Sequence, residues 1–230
     1  RQKWLGDAAH ELRGPLNDSE MSLNIVTRRD DLPDGVHATL RNAERHLLHM
    51  SDLVRDMFDT AKLENDAFEL SMTADVAVHE IVAEIAEEFA AHPDVLSLRS
   101  VPDRTITATL DRDRIRQVVR NVVSNAAKYH QPDKQATIAV LLRHADNAYF
   151  EIVVDDTPNG LGMKRADLEA LHSGQPFWRA EAAKAVATGT GLGVQLSRKL
   201  VDRSGGEITY ESEFGIGTIV TIRLPYKFEN

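Results

Sequence analysis

Residues 113–129, DRIRQVVRNVVSNAAKY, carry two opposed faces in one helical period. Gln117, Asn121, Asn125 and Lys128 recur at spacings of four, four and three and so line one side of a helix, while Val119, Val122, Val123 and Ala126 line the other. The apolar side has to lie on something, and strand patterns further along the chain supply a sheet. Asparagine competes with the helical backbone for hydrogen bonds and is a poor mid-helix residue, so two of them on one stripe beside a lysine point to a ligand more than to a solvated face. Amide oxygens can ligate a hard cation and an ammonium neutralises phosphate charge, which suits a hydrated Mg²⁺ and its phosphates.

Working outward from that helix, Ala136 to Leu142 and Ala148 to Val154 read as a strand pair around a turn at 144–147. Glu207 to Ser212 and Thr218 to Leu224 read as another around the Phe214 to Gly217 turn. Thr105 to Leu110 alternates as a strand, and Val78, Ile81, Ile85 and Phe89 form a helix face. The expected fold is an α+β, α/β sandwich, a mostly antiparallel sheet covered by helices on one face. Two glycine-bearing segments fall between these elements. Asp155-Asp156-Thr157-Pro158-Asn159-Gly160 ends a strand, and Gly189-Thr190-Gly191-Leu192-Gly193 leads into a helix over Val194 to Val201. Glycines at a helix start let backbone amides approach a phosphate, with the helix N-terminus adding a favourable field. Taken singly, each segment is equally explained by glycines that only form turns.

Upstream the pattern changes. Trp4, Ala8, Leu12, Leu16, Leu23 and Val26 mark an amphipathic helix, bent by Pro15. The polar run 28–35, RRDDLPDG, reads as a turn, and Leu40, Ala43, Leu47, Met50, Val54, Met57 and Ala61 hold a heptad seam on a returning helix. Two helices cannot bury such stripes alone, so a homodimer closing a four-helix bundle is expected. A break near Asn65-Asp66 divides the chain into an all-α helical hairpin over 1–68 and the α/β sandwich over 69–230.

The hairpin also holds Ala9 to Leu16, AHELRGPL. A histidine followed by a carboxylate can be oriented by it, one ring nitrogen kept protonated and the other left as a neutral nucleophile. His10 and Glu11 are therefore candidate catalytic residues, against the alternative of a surface histidine on an amphipathic helix. His46 and His49, three apart, admit a metal site or a solvated helix face. No third ligand is visible nearby, which favours the face.

Composition narrows the function. With 230 residues, 42% of them hydrophobic, the chain suits two ordinary domains. No cysteine means no disulfide framework and no thiolate chemistry, as in a reducing compartment, so a cytoplasmic location is expected. A formal charge of −9 argues against nucleic acid and anionic membrane as partners. The apolar runs are too short to span a bilayer, and no direct membrane contact is expected. The sequence opens in mid-helix without an initiator methionine, and reads as a fragment lacking an upstream sensor part.

Taken in order, these segments resemble the catalytic core of a sensor histidine kinase of a two-component system, over essentially the whole chain. HELRGPL resembles the H box with His10 as phospho-acceptor, and Asn121 to Tyr129 the N box. Asp156 falls on the adenine-binding aspartate, Pro176-Phe177-Trp178-Arg179 on the F box, and Gly189 to Gly193 on the second glycine box. The resemblance implies a dimerisation and histidine-phosphotransfer hairpin joined to a Bergerat-type (GHKL) ATP-binding domain. ATP and Mg²⁺ are the implied cofactors, and a response-regulator receiver domain, whose aspartate takes the phosphoryl group, is the implied partner. It assigns Mg²⁺ to Asn125 and Asn121, phosphate contacts to Lys128 and Tyr129, adenine to Asp156, and the nucleotide wall and lid to Gly160, Gly189, Thr190, Gly191, Leu192 and Gly193. The lid spans Met163 to Thr188, with Phe177 fixing its closed state. In related ATPases the N-box helix carries a water-activating glutamate, and by motif alignment Asn121 stands in its place. Two departures follow. Gly14 replaces the Thr or Asn that orients a hydrolytic water in relatives with phosphatase activity, so that activity is expected to be weak. Pro158 replaces the first glycine of the DxGxG box, which leaves open the alternative of a dimeric scaffold that binds nucleotide poorly.

Overall fold

The computed structural model describes residues 69–90, 92, 95–172, 183 and 191–227, with scattered positions between 15 and 59. The chain divides into two units, Arg1–Glu69 and Leu70–Asn230. In the first, described positions from Pro15 to Val26 and from Gly35 to Asp59 are helical, and Pro33 between them is not. The Val36 N–H donates to the Pro33 carbonyl at 2.8 Å, and Ser19 and Thr39 each return a hydroxyl proton to a carbonyl four residues back. The positions of His46 and His49 lie outside the described residues.

The second unit runs β1 (Thr73–Ala77), α1 (Val78–Ala90), β2 (Val95–Pro102), β3 (Thr107–Leu110), α2 (Arg112–Lys128), β4 (Ala136–His144), β5 (Tyr149–Asp155), α3 (Arg165–His172), α4 (Leu192–Arg203), β6 (Glu207–Glu213) and β7 (Gly217–Pro225). Five strands form one sheet in the order β2-β4-β5-β7-β6, and β1 pairs with β3 in a separate ribbon. Only β2 against β4 is parallel; the other pairs in the large sheet are antiparallel. Alternate residues of the sheet are buried, among them Ile138, Val140 and Leu142, then Phe150, Ile152 and Val154, then Val220, Ile222 and Leu224. One face of the sheet therefore makes the core with the buried sides of α1, α2 and α4.

The sequence reading passes over β1 and β2. β1 contains a bulge and Asp75 at φ 56°, and β2 is an edge strand ending in proline, so neither shows the clean two-residue period of a half-buried strand. The strand read from Thr105 begins at Thr107, because Asp103 accepts bonds from the Thr105 N–H and hydroxyl and makes a turn there. The first β4–β5 turn residue shifts likewise, since His144 still belongs to β4.

Helix α2 is fixed at its start by buried Asp111, whose Oδ1 accepts the Arg114 N–H at 3.1 Å while Oδ2 accepts the Ser71 N–H at 2.8 Å. Along its flank Arg116 and Arg120 reach Glu88 of α1 at 3.2 and 2.6 Å, and Arg112 meets Glu84. Exposed pairs of this kind orient helices more than they stabilise them.

Candidate functional site

The valine side of α2 is buried as its pattern requires: Val118, Val119, Val122, Val123 and Ala126 are all in the core. The other side, with Gln117, Asn121, Asn125 and Lys128, is half-buried. Asn121 is tied to helix α4. Its Nδ2 donates to the Ser197 hydroxyl of α4 at 2.9 Å, and Ser197 is itself buried. A β-carbon on Gly193 would lie 2.4 Å from Asn121 Oδ1, so the glycine allows the carboxamide to lodge against the first turn of α4. One turn on, the Asn125 carbonyl accepts the Tyr129 N–H at the end of α2.

Helix α4 follows Gly191, which lies in the left-handed region at φ 74° and, being glycine, contributes no side-chain cap of its own. Leu192 follows with its side chain in the core, so it can face a ligand only through its backbone.

At the end of the central strand β5, Asp156 is 6% exposed. Its Oδ1 accepts the Thr218 N–H of β7, and Oδ1 is also the atom that a β-carbon on Gly160 would meet at 2.1 Å and one on Gly217 at 2.6 Å. The carboxylate thus sits between two glycine walls. Burial pushes its pKa up to about 7, the Thr218 N–H opposing and the Asp155 charge adding to the rise. The loop that follows is closed by the Gly160 N–H on the Asp156 carbonyl at 2.8 Å and by the Leu161 N–H on the Tyr129 carbonyl at 2.7 Å. His130 and Gly160 pair as an antiparallel bridge, which brings the end of the N-box helix against the aspartate loop. Gly162 at φ 64° passes so close to the Glu213 carbonyl that no side chain fits. Pro158 is exposed, away from these tight approaches, and its peptide bond to Thr157 is cis.

The first part of the segment read as a lid is anchored. Ser212 Oγ accepts the Met163 N–H at 2.8 Å, and Arg198 of α4 donates to the carbonyl of His172 at the end of α3, 3.1 Å away. His10, Glu11, Gly14, Phe177, Gly189 and Thr190 lie outside the described residues.

Comparison with known proteins gives this arrangement its family. Residues 110–227 match the family described as histidine kinase-, DNA gyrase B-, and HSP90-like ATPase, and residues 1–66 match the His Kinase A (phospho-acceptor) domain. The chain belongs to the histidine kinases. Histidine protein kinase DivJ of Caulobacter vibrioides is 35% identical over 230 residues, covering 98% of this chain and 37% of that protein. Sensor histidine kinase WalK of Bacillus subtilis is 27% identical over 237 residues, covering 100% of this chain and 37% of that protein. The chain thus spans little more than a third of the length of the curated relatives it matches. Among solved structures, full-length ShkA in complex with AMPPNP aligns at a TM-score of 0.73 and 22% identity, over 100% of this chain and 47% of that one, a likeness of fold.

Within this histidine kinase core, the ATPase-family domain implies ATP binding, and the residues fit that substrate: a buried acceptor between glycine walls on one side, a glycine-led helix start and an amide-bearing stripe on the other. Among the described residues no cluster of three His, Asp or Glu side chains is placed to hold a metal. No described helix is long and apolar enough to cross a membrane. Three contributors to the site escape sequence reading. Ser197, Ser212 and Thr218 carry no motif, and each matters only because a neighbouring element arrives beside it.

Proposed function

We propose that this core phosphorylates His10 from ATP and passes the phosphoryl group to an aspartate of a response-regulator receiver domain. The observation that carries the reading is Asp156, a buried carboxylate wedged between Gly160 and Gly217 beside the end of the N-box helix. A carboxylate so held accepts a hydrogen bond from the adenine amino group while the flat base lies against glycines.

The N-box side supports transfer to protein over hydrolysis. Asn121 stands where related ATPases carry a basic glutamate; an amide is no base, and its Nδ2 is bonded to Ser197. Water is left unactivated and the γ-phosphoryl group is kept for the histidine. A neutral ring nitrogen of His10 then forms the N–P bond in line as the bond from phosphorus to the bridging oxygen breaks and ADP leaves. Glu11 orients the ring and takes up the proton of its other nitrogen. Lys128 and Tyr129 bind phosphate oxygens, and Gly189, Thr190, Gly191, Leu192 and Gly193 offer backbone amides to them. Mg²⁺, when bound, neutralises the phosphates; Asn125 would hold it through its amide oxygen, helped by the amide of Asn121. Phe177 would close the lid.

The helical unit acts as a homodimer in this reading. Met21 and Ile25 are 68% and 65% exposed, with Val26, Val36 and Met50 also exposed, and a second copy of the hairpin would cover apolar side chains of this kind. Among the described residues Pro158 is exposed and both glycine walls are intact, which supports nucleotide binding over a scaffold. His10→Gln is the direct test. It should abolish incorporation of label from γ-labelled ATP and leave nucleotide binding unchanged, and label persisting on another residue would refute the assignment.

A further inference from the structure

Gln131 lies just past the end of α2, and no motif or charge marks it. Its Nε2 is 2.9 Å from the Pro158 carbonyl, 3.1 Å from that of Gly160 and 2.9 Å from that of Gly215. Its backbone N–H donates to the Asn159 carbonyl at 2.9 Å. An amide nitrogen has two hydrogens, so three carbonyls converging on it share them and leave the side chain no second position of comparable bonding.

Those carbonyls belong to two segments, the loop after β5 and the turn between β6 and β7. They are the segments whose Gly160 and Gly217 press on Asp156 from either side. A further bond joins them directly, the Gly215 N–H to the Leu161 carbonyl at 2.8 Å. Gln131 donates to both walls, and it hangs from the helix that carries Asn121 and Asn125.

We propose that Gln131 is a positioning residue for base selection: by tying the two glycine walls together it fixes the gap in which Asp156 sits, and so makes the site prefer adenine over guanine nucleotides. The inference rests on the reading that Asp156 faces the base. Adenine offers an amino donor at C6, where guanine offers a carbonyl oxygen that a fixed carboxylate repels. With the walls untied, the carboxylate can turn away from either base and the discrimination falls.

The test is calorimetric titration of the 230-residue chain with ATP and with GTP, for the natural protein, Gln131→Leu and Gln131→Asn. Asparagine keeps the amide but shortens its reach by one methylene, and serves if the leucine variant does not fold. The variants should weaken ATP binding about tenfold, the scale of one well-made hydrogen bond, and lower the ATP-to-GTP affinity ratio by a similar factor. In autophosphorylation the loss should fall on KM for ATP more than on kcat. A folded variant that keeps the parent's ATP-to-GTP ratio overturns the proposal, whether or not its melting temperature falls, because a merely structural tie would lower stability without changing selection. Absence of ATP binding by the natural chain overturns the nucleotide reading as well; loss of the ratio effect alone overturns only the role of Gln131.

Discussion

Asn121 and Asp156 are held by the same steric device. Each polar side chain lies where a glycine lacks a β-carbon, Gly193 for the carboxamide and Gly160 with Gly217 for the carboxylate. What differs is the partner. Asn121 is neutral and half-buried, and its Nδ2 finds the Ser197 hydroxyl, so its burial carries little penalty and its charge cannot change. Asp156 loses its water and receives one backbone N–H from Thr218, too little to hold the ionised form at its usual pKa. A compensated polar group makes a joint between helices. An undercompensated carboxylate makes a binding site, because a ligand donor supplies what the fold withholds.

The largest effect that could break this contrast is at Gly160. A methyl there would strike the Asp156 carboxylate, so Gly160→Ala should weaken ATP binding by about a hundredfold, as for the loss of a hydrogen bond to a charged group. Titration calorimetry checks it, and unchanged affinity would remove Asp156 from the base contact.

The next is pH. An ionised Asp156 accepts the amino proton and a protonated one competes with it, so affinity should rise with pH through about 7. Between about pH 6 and about pH 8 the gain should be about tenfold beyond that of Asp156→Asn, which corrects for titration of the nucleotide itself. The unliganded fold carries the opposite sign. A native carboxyl with a raised pKa holds its proton more tightly than the unfolded chain does. Stability therefore falls as pH climbs from the ordinary carboxylate value towards about 7, which thermal melts across that window should register.

On the Asn121 side the effect should be on stability and independent of pH. Ser197→Ala leaves the Asn121 amide without its acceptor and should cost about 1 kcal/mol in denaturant unfolding. Asn125, one turn further along α2, should keep its role in that variant. The smallest effect is expected at Pro158. Because it is exposed and the close approaches belong to Gly160, Gly162 and Gly217, Pro158→Gly should change ATP affinity by no more than about threefold, within the usual range for a surface substitution. A much larger gain would mean that the proline distorts the carboxylate nook.

The sequence was most readable where one element carries its own instruction. The two faces of α2, the hairpin strands β4–β5 and β6–β7 and the glycine start of α4 all follow from spacing within one segment. The order of those segments was enough to suggest the family that the comparisons show. Edge strand β2 and bulged β1 were not legible, because an irregular or one-sided strand has no period to detect.

The sequence by itself therefore determined which residues have the chemistry for phosphates and an adenine: the amide stripe of Asn121 and Asn125, the carboxylate of Asp156 and the glycines near it. Only the tertiary structure decided how each is used. It placed Ser197 under Asn121, Thr218 and Gly217 against Asp156, and Gln131 across both walls, from segments up to 84 residues apart. The physical reason is that residue type fixes what a side chain can donate, accept or ionise. Whether it is compensated, and hence whether it braces the fold or binds a ligand, depends on neighbours that no local pattern names.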